Sequence, residues 1–584
     1  MFFIYSLFIA SKNKFTFNTG KILTLNLKKG TKNNDFAFPI LIGFALAFTV
    51  LNVRAQQVSK IEIINADSFE FDEELGNGAK RLLGHVQFKQ DNVLMFADSA
   101  YYYDNNALDA FGNIHINQND SVHLYGDFLK YNGNTKLATI TGKVVTLKDK
   151  EMTLTTTQLD FNMQLNIGFY NKSGKITTKE NTLTSKNGYY YSSQKNLFFK
   201  KDVVLVNPDY KMYCDSLRYN TITETAFFNG PTHIISSANK IYCENGWYNT
   251  KQDKAQFNKN AWLKNKEQKL HGDSLFYDSK NGYGKALKNV EVLDSAQKIS
   301  IRGNFLEYFE RSEKSIVTDK AVMIQYFKTD TLYLHADTLK ATYDSTYFAL
   351  KKTKETEEIR KNKGKKDSNI KVQMEDSVAS AHRMIYAHYK VKFFKNDLQG
   401  LCDSLVYSAS DSLMRLFSKP ILWSDANQLT AEFINIKLYD GKIFQLRMNN
   451  NAYVISQYDS VRFNQIKGKK MISYFIENDM RKIDVNGNGE TVYYIKDDND
   501  GSLSGVNKAE CSDMAIYINN NKVEKLKMFK KPSGIMHPPK EVNPKDMLLK
   551  DFSWYKEYRP TKAEEIFEWK DFKTDNTKAK KRKK

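Results

Sequence analysis

Short stretches of alternating apolar and polar residues recur along the chain. In YCDSLRYN, residues 213–220, Leu217 and Tyr219 stand two positions apart, and side chains two positions apart share one face of a β-strand. Related stretches begin at Phe96 (FADSAYYYD), His271 (HGDSLFYDS), His335 (HADTLKATYD) and Gly400 (GLCDSLVYS). Because only alternate positions are apolar, each strand is predicted to bury one face and expose the other.

The stretches follow one another at a period near 30 residues, which is typical of a solenoid-like array. An acidic residue marks each copy, at Asp67, Asp98, Asp127, Asp215, Glu244, Asp273, Asp337 and Asp403. A second element lies between the copies, as in GHVQF at Gly84, GNIHI at Gly112 and KNVEVL at Lys288. We therefore predict an all-β fold of strand–turn–strand units whose stacking builds two sheets around one apolar interior.

Two positions that recur in each copy of the unit are predicted to be structural. The Gly, Asn or Lys before each second element is expected to form the turn that starts a strand. The acidic residue is expected at a turn or strand edge, where it accepts main-chain N–H bonds. These carboxylates occur once per repeat and are not paired, so they do not suggest a catalytic site.

The alternation also predicts which side chains face the interior. We select apolar pairs at i and i+2 from four elements, and they are Val86 and Phe88, Ile114 and Ile116, Leu217 and Tyr219, and Val290 and Val292. The selection rests on alternation alone, and a register change of one residue would exchange the two faces.

Interruptions of the repeat divide the chain into five parts. Residues 1–55 are predicted to be a signal peptide or an N-terminal anchor, because residues 36–53 carry no charge, follow Lys28, Lys29 and Lys32, and lead to Ala55. Residues 56–350 and 378–530 are predicted to be repeats. Residues 351–377 are interpreted as a charged, disordered insertion. Residues 531–584 are interpreted as a proline-rich and basic extension with a short helix near residues 563–569.

The four cysteines have no metal-site spacing. Cys214 and Cys243 are 29 residues apart at similar places in neighbouring copies, so stacking in register would bring them within reach of a disulfide. The alternative is that this position requires a small residue, since Ala97, Gly126, Gly272 and Ala336 occupy the same place.

Charge and motifs limit the function. The net charge of +20 suits an anionic partner, although part of it is the terminal KAKKRKK, which is also typical of a solvated end. The sequence DVNGNGE at Asp484 resembles the start of a calcium loop, but Ile495 stands at the twelfth position, where Glu is needed. Without a phosphate-binding loop, zinc motif or nucleophile elbow, we predict no cofactor, no metal and no enzymatic activity.

The repeats resemble the OstA-like family, which includes the periplasmic lipopolysaccharide-transport protein LptA and the N-terminal domain of LptD. The stretch that carries the resemblance is NADSFEFDEELGNGAKRLLGHVQFKQDNVLMFADSAYYYDNNALDAFGNIHINQND, beginning at Asn65, and a weaker version of its layout continues to about Tyr517. The resemblance implies an elongated β-jellyroll, V-shaped or taco-shaped, whose apolar groove holds the acyl chains of lipopolysaccharide. The chain is longer than an ordinary LptA and is expected to lack the LptD barrel.

The resemblance also implies a place and partners. The protein would act in the periplasm, as part of a bridge between the inner and outer membranes in outer-membrane assembly. Its partners would be lipopolysaccharide, an Lpt-type exporter of the inner membrane and an LptD-type barrel of the outer membrane, with end-to-end self-association as a further possibility.

Two other functions stay open on the residues alone. A carbohydrate-active β-solenoid enzyme would need clustered carboxylates, whereas the repeat supplies one at a time. A structural solenoid or adhesin would have a permanently packed interior. Nucleic-acid binding is not expected, because the predicted export signal argues against it and the basic residues are dispersed.

Overall fold

The computed structural model describes residues 59–572, except 72–77, 151, 192–193, 238, 267, 296, 362–373, 440–441, 498–499 and 520–521. The predicted signal or anchor and the terminal basic residues lie outside the described residues. The described residues 59–237 and 243–253 belong to a first compact unit, and 239–242 and 254–572 belong to a second. No helix within these residues is both long and apolar enough to cross a membrane.

The first unit is built from antiparallel strands. They are β1 (Glu62–Asn65), β2 (Ser68–Phe71), β3 (Lys80–Gln90), β4 (Val93–Tyr103), β5 (Ala107–Gln118), β6 (Val122–Asn132), β7 (Leu137–Lys148), β8 (Thr153–Asn162), β9 (Ile167–Tyr170), β10 (Gly174–Thr177), β11 (Thr182–Ser185), β12 (Asn187–Tyr191), β13 (Asn196–Val206), β14 (Tyr210–Asn220) and β15 (Thr225–Ser236). The next strand, β16 (Lys240–Asn249), has residues of both units.

The second unit continues the antiparallel pattern and adds two α-helices. Its strands are β17 (Lys254–Lys264), β18 (Gln268–Asp278), β19 (Tyr283–Asp294), β20 (Ile299–Phe309), β21 (Lys314–Thr318), β22 (Val322–Tyr326), β23 (Thr331–His335), β24 (Thr338–Tyr343), β25 (Arg383–Lys395), β26 (Leu398–Ser408), β27 (Leu413–Phe417), β28 (Ile421–Ser424), β29 (Asn427–Thr430), β30 (Phe433–Tyr439), β31 (Lys442–Gln457), β32 (Phe463–Ile476), β33 (Asp479–Lys496), β34 (Leu503–Asn519), β35 (Lys522–Phe529) and β36 (Ser533–His537). The helices are α1 (Ser345–Lys361) and α2 (Asp376–Ala381), and short 3-10 helices cover Pro539–Glu541, Pro544–Met547, Lys556–Tyr558 and Ala563–Phe567.

Most long strands bend at a corner near their middle. In β5, residues 107–111 pair with 99–103 of β4 and residues 115–118 pair with 93–96, with a register shift between the two halves. Gly112 (φ +72°) and Asn113 (φ +42°) form this corner, and two successive left-handed residues turn the strand out of its plane. Each bent strand therefore contributes to two sheet layers. Within each unit, layer A contains half-strands such as 107–111, and layer B contains half-strands such as 114–118.

These elements confirm the all-β class and the strand–turn–strand repeat of about 30 residues. The predicted position of the turn is wrong. Gly84, Gly112 and the pair Lys288–Asn289 lie inside long strands, at corners with positive φ, and not where a strand starts. The half-strand after the corner alternates as predicted, but it continues a strand that began in the other layer.

The segment interpreted as a disordered insertion is in part helical. Helix α1 covers Ser345–Lys361 and so includes the first eleven residues of that segment. The side chain of Tyr347 is buried and stacks on Tyr343 with 3.8 Å between the ring centroids, and Lys351 forms an ion pair with the buried Glu313. Sequence reasoning missed this helix because its polar majority hides two residues that are anchored by tertiary contacts.

The described cysteines form no disulfide, and Cys214 and Cys243 are both buried. The pairing considered from the sequence is therefore absent from this structure. The alternative accounts for the position: Ala97 and Cys214 are 7% and 6% exposed, and a Cβ added at Gly126 would stand 2.4 Å from Ile140 Cγ2. A small residue is required because the facing layer leaves no room for a larger one.

The sequence DVNGNGE also adopts a corner. Asp484 to Glu490 lie within β33, and Gly487 and Asn488 have φ values of +81° and +50°. From the sequence alone this segment is better explained as a hairpin turn than as a calcium loop, but the strand continues through it into the second layer.

Candidate functional site

All eight apolar residues selected from the alternation are buried. Their exposed fractions lie between 0% and 3%, and their strands place six of them in the first unit, whereas Val290 and Val292 lie in the second. Ile116 is completely buried, while its neighbour His115 is half-buried and points to the opposite side of layer B. That these side chains contact lipid stays a prediction.

The repeated acidic residues hold the corners together. Asn113 Nδ2 donates to Asp98 Oδ2 over 2.8 Å, and the main-chain N–H of Lys143 donates to Asp127 Oδ2 over 2.8 Å. His85 Nδ1 lies 2.8 Å from Asp67 Oδ2, and this hydrogen bond raises the pKa of His85. The predicted main-chain contact thus holds at Asp127, while the two other carboxylates contact the side chain of the second corner residue. Their spacing, one per corner, makes them structural ties.

Polar side chains join the free ends of layers A and B in the first unit. Gln90, at the end of β3 in layer B, donates from Nε2 to the carbonyl oxygen of Gly133 (3.0 Å) and accepts from the hydroxyl of Tyr131. Gln118, at the end of β5, donates to Asn166 Oδ1 (2.8 Å) and to the carbonyl oxygen of Met163 (3.3 Å). We call these two sets the glutamine clasps. Because they connect opposite free ends, the two layers face each other and enclose the apolar residues.

Charged and buried groups surround the clasps. Lys136 Nζ lies 2.5 Å from Asp91 Oδ2, and this hydrogen bond is the main cause that lowers the pKa of Asp91. Burial, with a smaller contribution from Asp91, raises the pKa of Tyr131, so the phenol stays protonated and donates to Gln90. Each clasp is therefore a neutral hydrogen-bonded contact that does not change its charge near neutral pH.

Sequence reasoning missed the clasps although their positions follow from the same alternation. Gln90 stands two residues after Phe88, and Gln118 stands two residues after Ile116. Both are nearly fully buried, at 2% and 7% exposure. A glutamine that continues an inward-facing row at the end of a strand is the signal that was available.

The arrangement is chemically apolar in its centre and hydrogen-bonded at its edge. The interior is lined by apolar side chains, whereas the acidic groups of the repeat lie at separate corners. In the part of the chain that the structure describes, no three His, Cys, Asp or Glu side chains are placed to hold a metal ion.

Comparison with known proteins agrees with the repeat. The model of the family described as OstA-like protein matches residues 58–215 and 211–273. No curated protein matches the chain. Among solved structures, LptH of Pseudomonas aeruginosa, described as the LptA homologous periplasmic component of the lipopolysaccharide transport device, is 13% identical. The alignment covers 28% of this chain and 77% of LptH, with a TM-score of 0.11. The match to the OstA-like model over residues 58–273 agrees with the resemblance of the repeats.

Proposed function

We propose that the protein is a non-enzymatic lipopolysaccharide-binding protein of the periplasm, which carries lipid between the inner and outer membranes during outer-membrane assembly. The OstA-like match over residues 58–273 is the observation that carries the proposal. The apolar interior between two facing layers supports it, since acyl chains need such a surface to leave water.

Acyl chains would enter where the glutamine clasps close the free ends of the layers. A chain of about ten CH₂ groups gains roughly 8 kcal/mol on leaving water, at ~0.8 kcal/mol per CH₂. Each clasp hydrogen bond contributes only about 0.5–1.5 kcal/mol net. Lipid burial therefore exceeds the cost of opening one clasp, and the parted apolar side chains stay covered by the acyl chain.

The partners follow from the proposed path of the lipid. An Lpt-type exporter of the inner membrane would deliver lipopolysaccharide, and an LptD-type barrel of the outer membrane would receive it. The net charge of +20 favours approach of an anionic glycolipid. Copies of the chain would associate end to end if one copy does not span the distance.

A photo-crosslinking amino acid at position 116, with position 115 as its matched control, tests the proposal in living cells. We expect lipopolysaccharide adducts at 116 and none at 115, because Ile116 faces the interior and His115 faces outward. Replacing Gln90 and Gln118 by Ala should raise the adduct yield at 116, whereas Gln87→Ala, on the other face of β3, should leave it unchanged.

A structural β-protein with a permanently packed interior is the second candidate. The exposed fractions of 0–3% at the eight apolar positions favour it, since a filled interior needs no ligand. Absence of adducts at 116 and at the equivalent inward positions 88, 217 and 292 would exclude the transport function and leave this one.

A further inference from the structure

The C-terminal part of the second unit forms a third layer. Residues 547–572, which we call the strap, lie against layer B on the side away from the interior. In β31 the four successive residues Ala452, Tyr453, Val454 and Ile455 are all buried. Ala452 and Val454 face the interior, and Tyr453 and Ile455 pack with Met547 and Leu549 of the strap. Strands buried on both faces lose their alternation for this reason.

The strap follows the strands backwards along the chain. After the contact with β31, Tyr558 packs on Ile421 and Trp423 of β28, and Ile566 packs on Val322 and Ile324 of β22. One continuous segment of 26 residues therefore provides all of these contacts to the outer face of layer B.

Two buried glutamines bind the main chain of the strap. Gln465 donates from Nε2 to the carbonyl oxygen of Met547 (3.1 Å) and accepts at Oε1 from the N–H of Leu549 (2.9 Å). Gln428 does the same with Ser553 (2.8 Å) and Tyr555 (2.7 Å). Each amide thus pairs with residues i and i+2 of an extended peptide.

Further polar groups hold the second half of the strap. Arg559 Nε donates to Gln399 Oε1 over 2.8 Å. Lys392, only 5% exposed, donates to the carbonyl oxygen of Glu568 over 3.0 Å. Glutamine and lysine contacts to main-chain atoms do not depend on the side chains of the bound peptide, which is how a peptide-binding surface recognises an extended ligand.

Two open grooves run beside the strap. One, of about 720 Å³, is lined by strap residues, including Trp554 and Arg559, and by layer B residues, including Trp423. The other, of about 510 Å³, is lined by Ile566 and Phe567 of the strap and by Val322. The strap therefore has solvent-accessible space along its edges.

We propose that the outer face of layer B in the second unit is a docking site for an extended peptide, and that the strap of a second copy of this chain can occupy it in exchange for the chain's own strap. The exchange leaves the apolar interior undisturbed, because the strap lies on the opposite face. Residues 538–544, which join β36 to the strap, contain three prolines, and this stiff connection favours reach toward a neighbouring copy. The proposal does not depend on lipid binding.

The test uses the full-length protein with a protease site introduced between residues 538 and 543. After cleavage, a fluorescein-labelled peptide of residues 545–572 is added, and anisotropy and native mass spectrometry follow replacement of the cut strap. We expect replacement in the cut protein and ~100-fold weaker binding to uncut protein, whose own strap competes at a high effective concentration.

Variants identify the contacts responsible. Gln428→Ala and Gln465→Ala should each weaken the labelled peptide about tenfold or more, since each removes two hydrogen bonds. Gln445→Ala is the matched control, because Gln445 contacts Arg447 in the half of β31 that precedes the corner. Equal affinity for all three variants would overturn the proposed recognition.

Two tagged versions of the intact chain then test the exchange between copies. Concentrated mixtures should yield complexes with both tags, and the double variant Gln428→Ala/Gln465→Ala should not. The proposal is overturned if the cut strap never exchanges under a large excess of peptide, if cutting unfolds the second unit, or if intact copies form no mixed complex.

Discussion

Substitution of Gly112 by Ala tests whether the corner of β5 depends on a left-handed glycine against Asp98. Two costs are expected. The φ of +72° is one that L-residues avoid, at about 1–2 kcal/mol. In addition, the new Cβ would stand 2.3 Å from Asp98 Oδ2 and 2.9 Å from Asp98 Cγ, so the carboxyl group must move and lose its contact with Asn113.

The second cost is the hydrogen bond to a charged group, roughly 1.5–3 kcal/mol. We therefore expect Gly112→Ala to lower the free energy of unfolding of the first unit by about 3–4 kcal/mol. Gly501 is the matched control, because its φ is +70° and nothing lies within 4 Å of an added Cβ. Gly501→Ala should cost only ~1–2 kcal/mol in the second unit.

Hydrogen exchange of strand amides, read separately in each unit, measures both losses. A double-mutant cycle with Asp98→Ala isolates the contact: when the carboxyl group is absent, the added methyl group meets only the Cβ of residue 98, 3.0 Å away. We expect a coupling free energy of about 2 kcal/mol between positions 98 and 112. Equal losses at Gly112 and Gly501, or no coupling, would refute the explanation of the corner.

Three further outcomes are expected. Burial, with a smaller contribution from His123, lowers the pKa of His115. The unfolded chain therefore takes up a proton more readily than the folded chain, and the free energy of unfolding falls as the pH drops below about 6.5. In urea titrations from pH 7.5 to 5.5, His115→Phe should reduce that fall. Phe88→Ala should cost about 3–5 kcal/mol because Phe88 is 1% exposed, whereas Lys89→Ala should cost less than ~0.5 kcal/mol. Similar losses at the two positions would contradict the assignment of Phe88 to the interior. Lys351→Ala leaves the buried Glu313 without its ion-pair partner and should lower the free energy of unfolding by ~3–5 kcal/mol. Faster amide hydrogen exchange in α1 would report this loss. Unchanged exchange would show that the ion pair does not anchor the helix.

The sequence alone determined the repeat and the face of each strand that is buried. Ile114 and Ile116 were assigned to the interior from a period of two, and both are buried, since a strand cannot turn one of two alternate residues away from the core. Alignment of the copies also showed that a small residue recurs beside each corner, and Ala97 and Cys214 at this position are buried.

Only the tertiary structure decided how the strands are bent, closed and covered. From the sequence, Gly112 was expected to start a strand, whereas it lies inside β5. Its positive φ is set by packing neighbours that the local sequence does not specify. Gln90 and Gln118 become clasps only when the opposite layer brings an acceptor to each amide. The strap reaches Gln428 from more than 120 residues away in the chain, and no local period reports such a contact. Alternation records which face of a strand is buried, whereas the partner that buries it is set by the path of the whole chain.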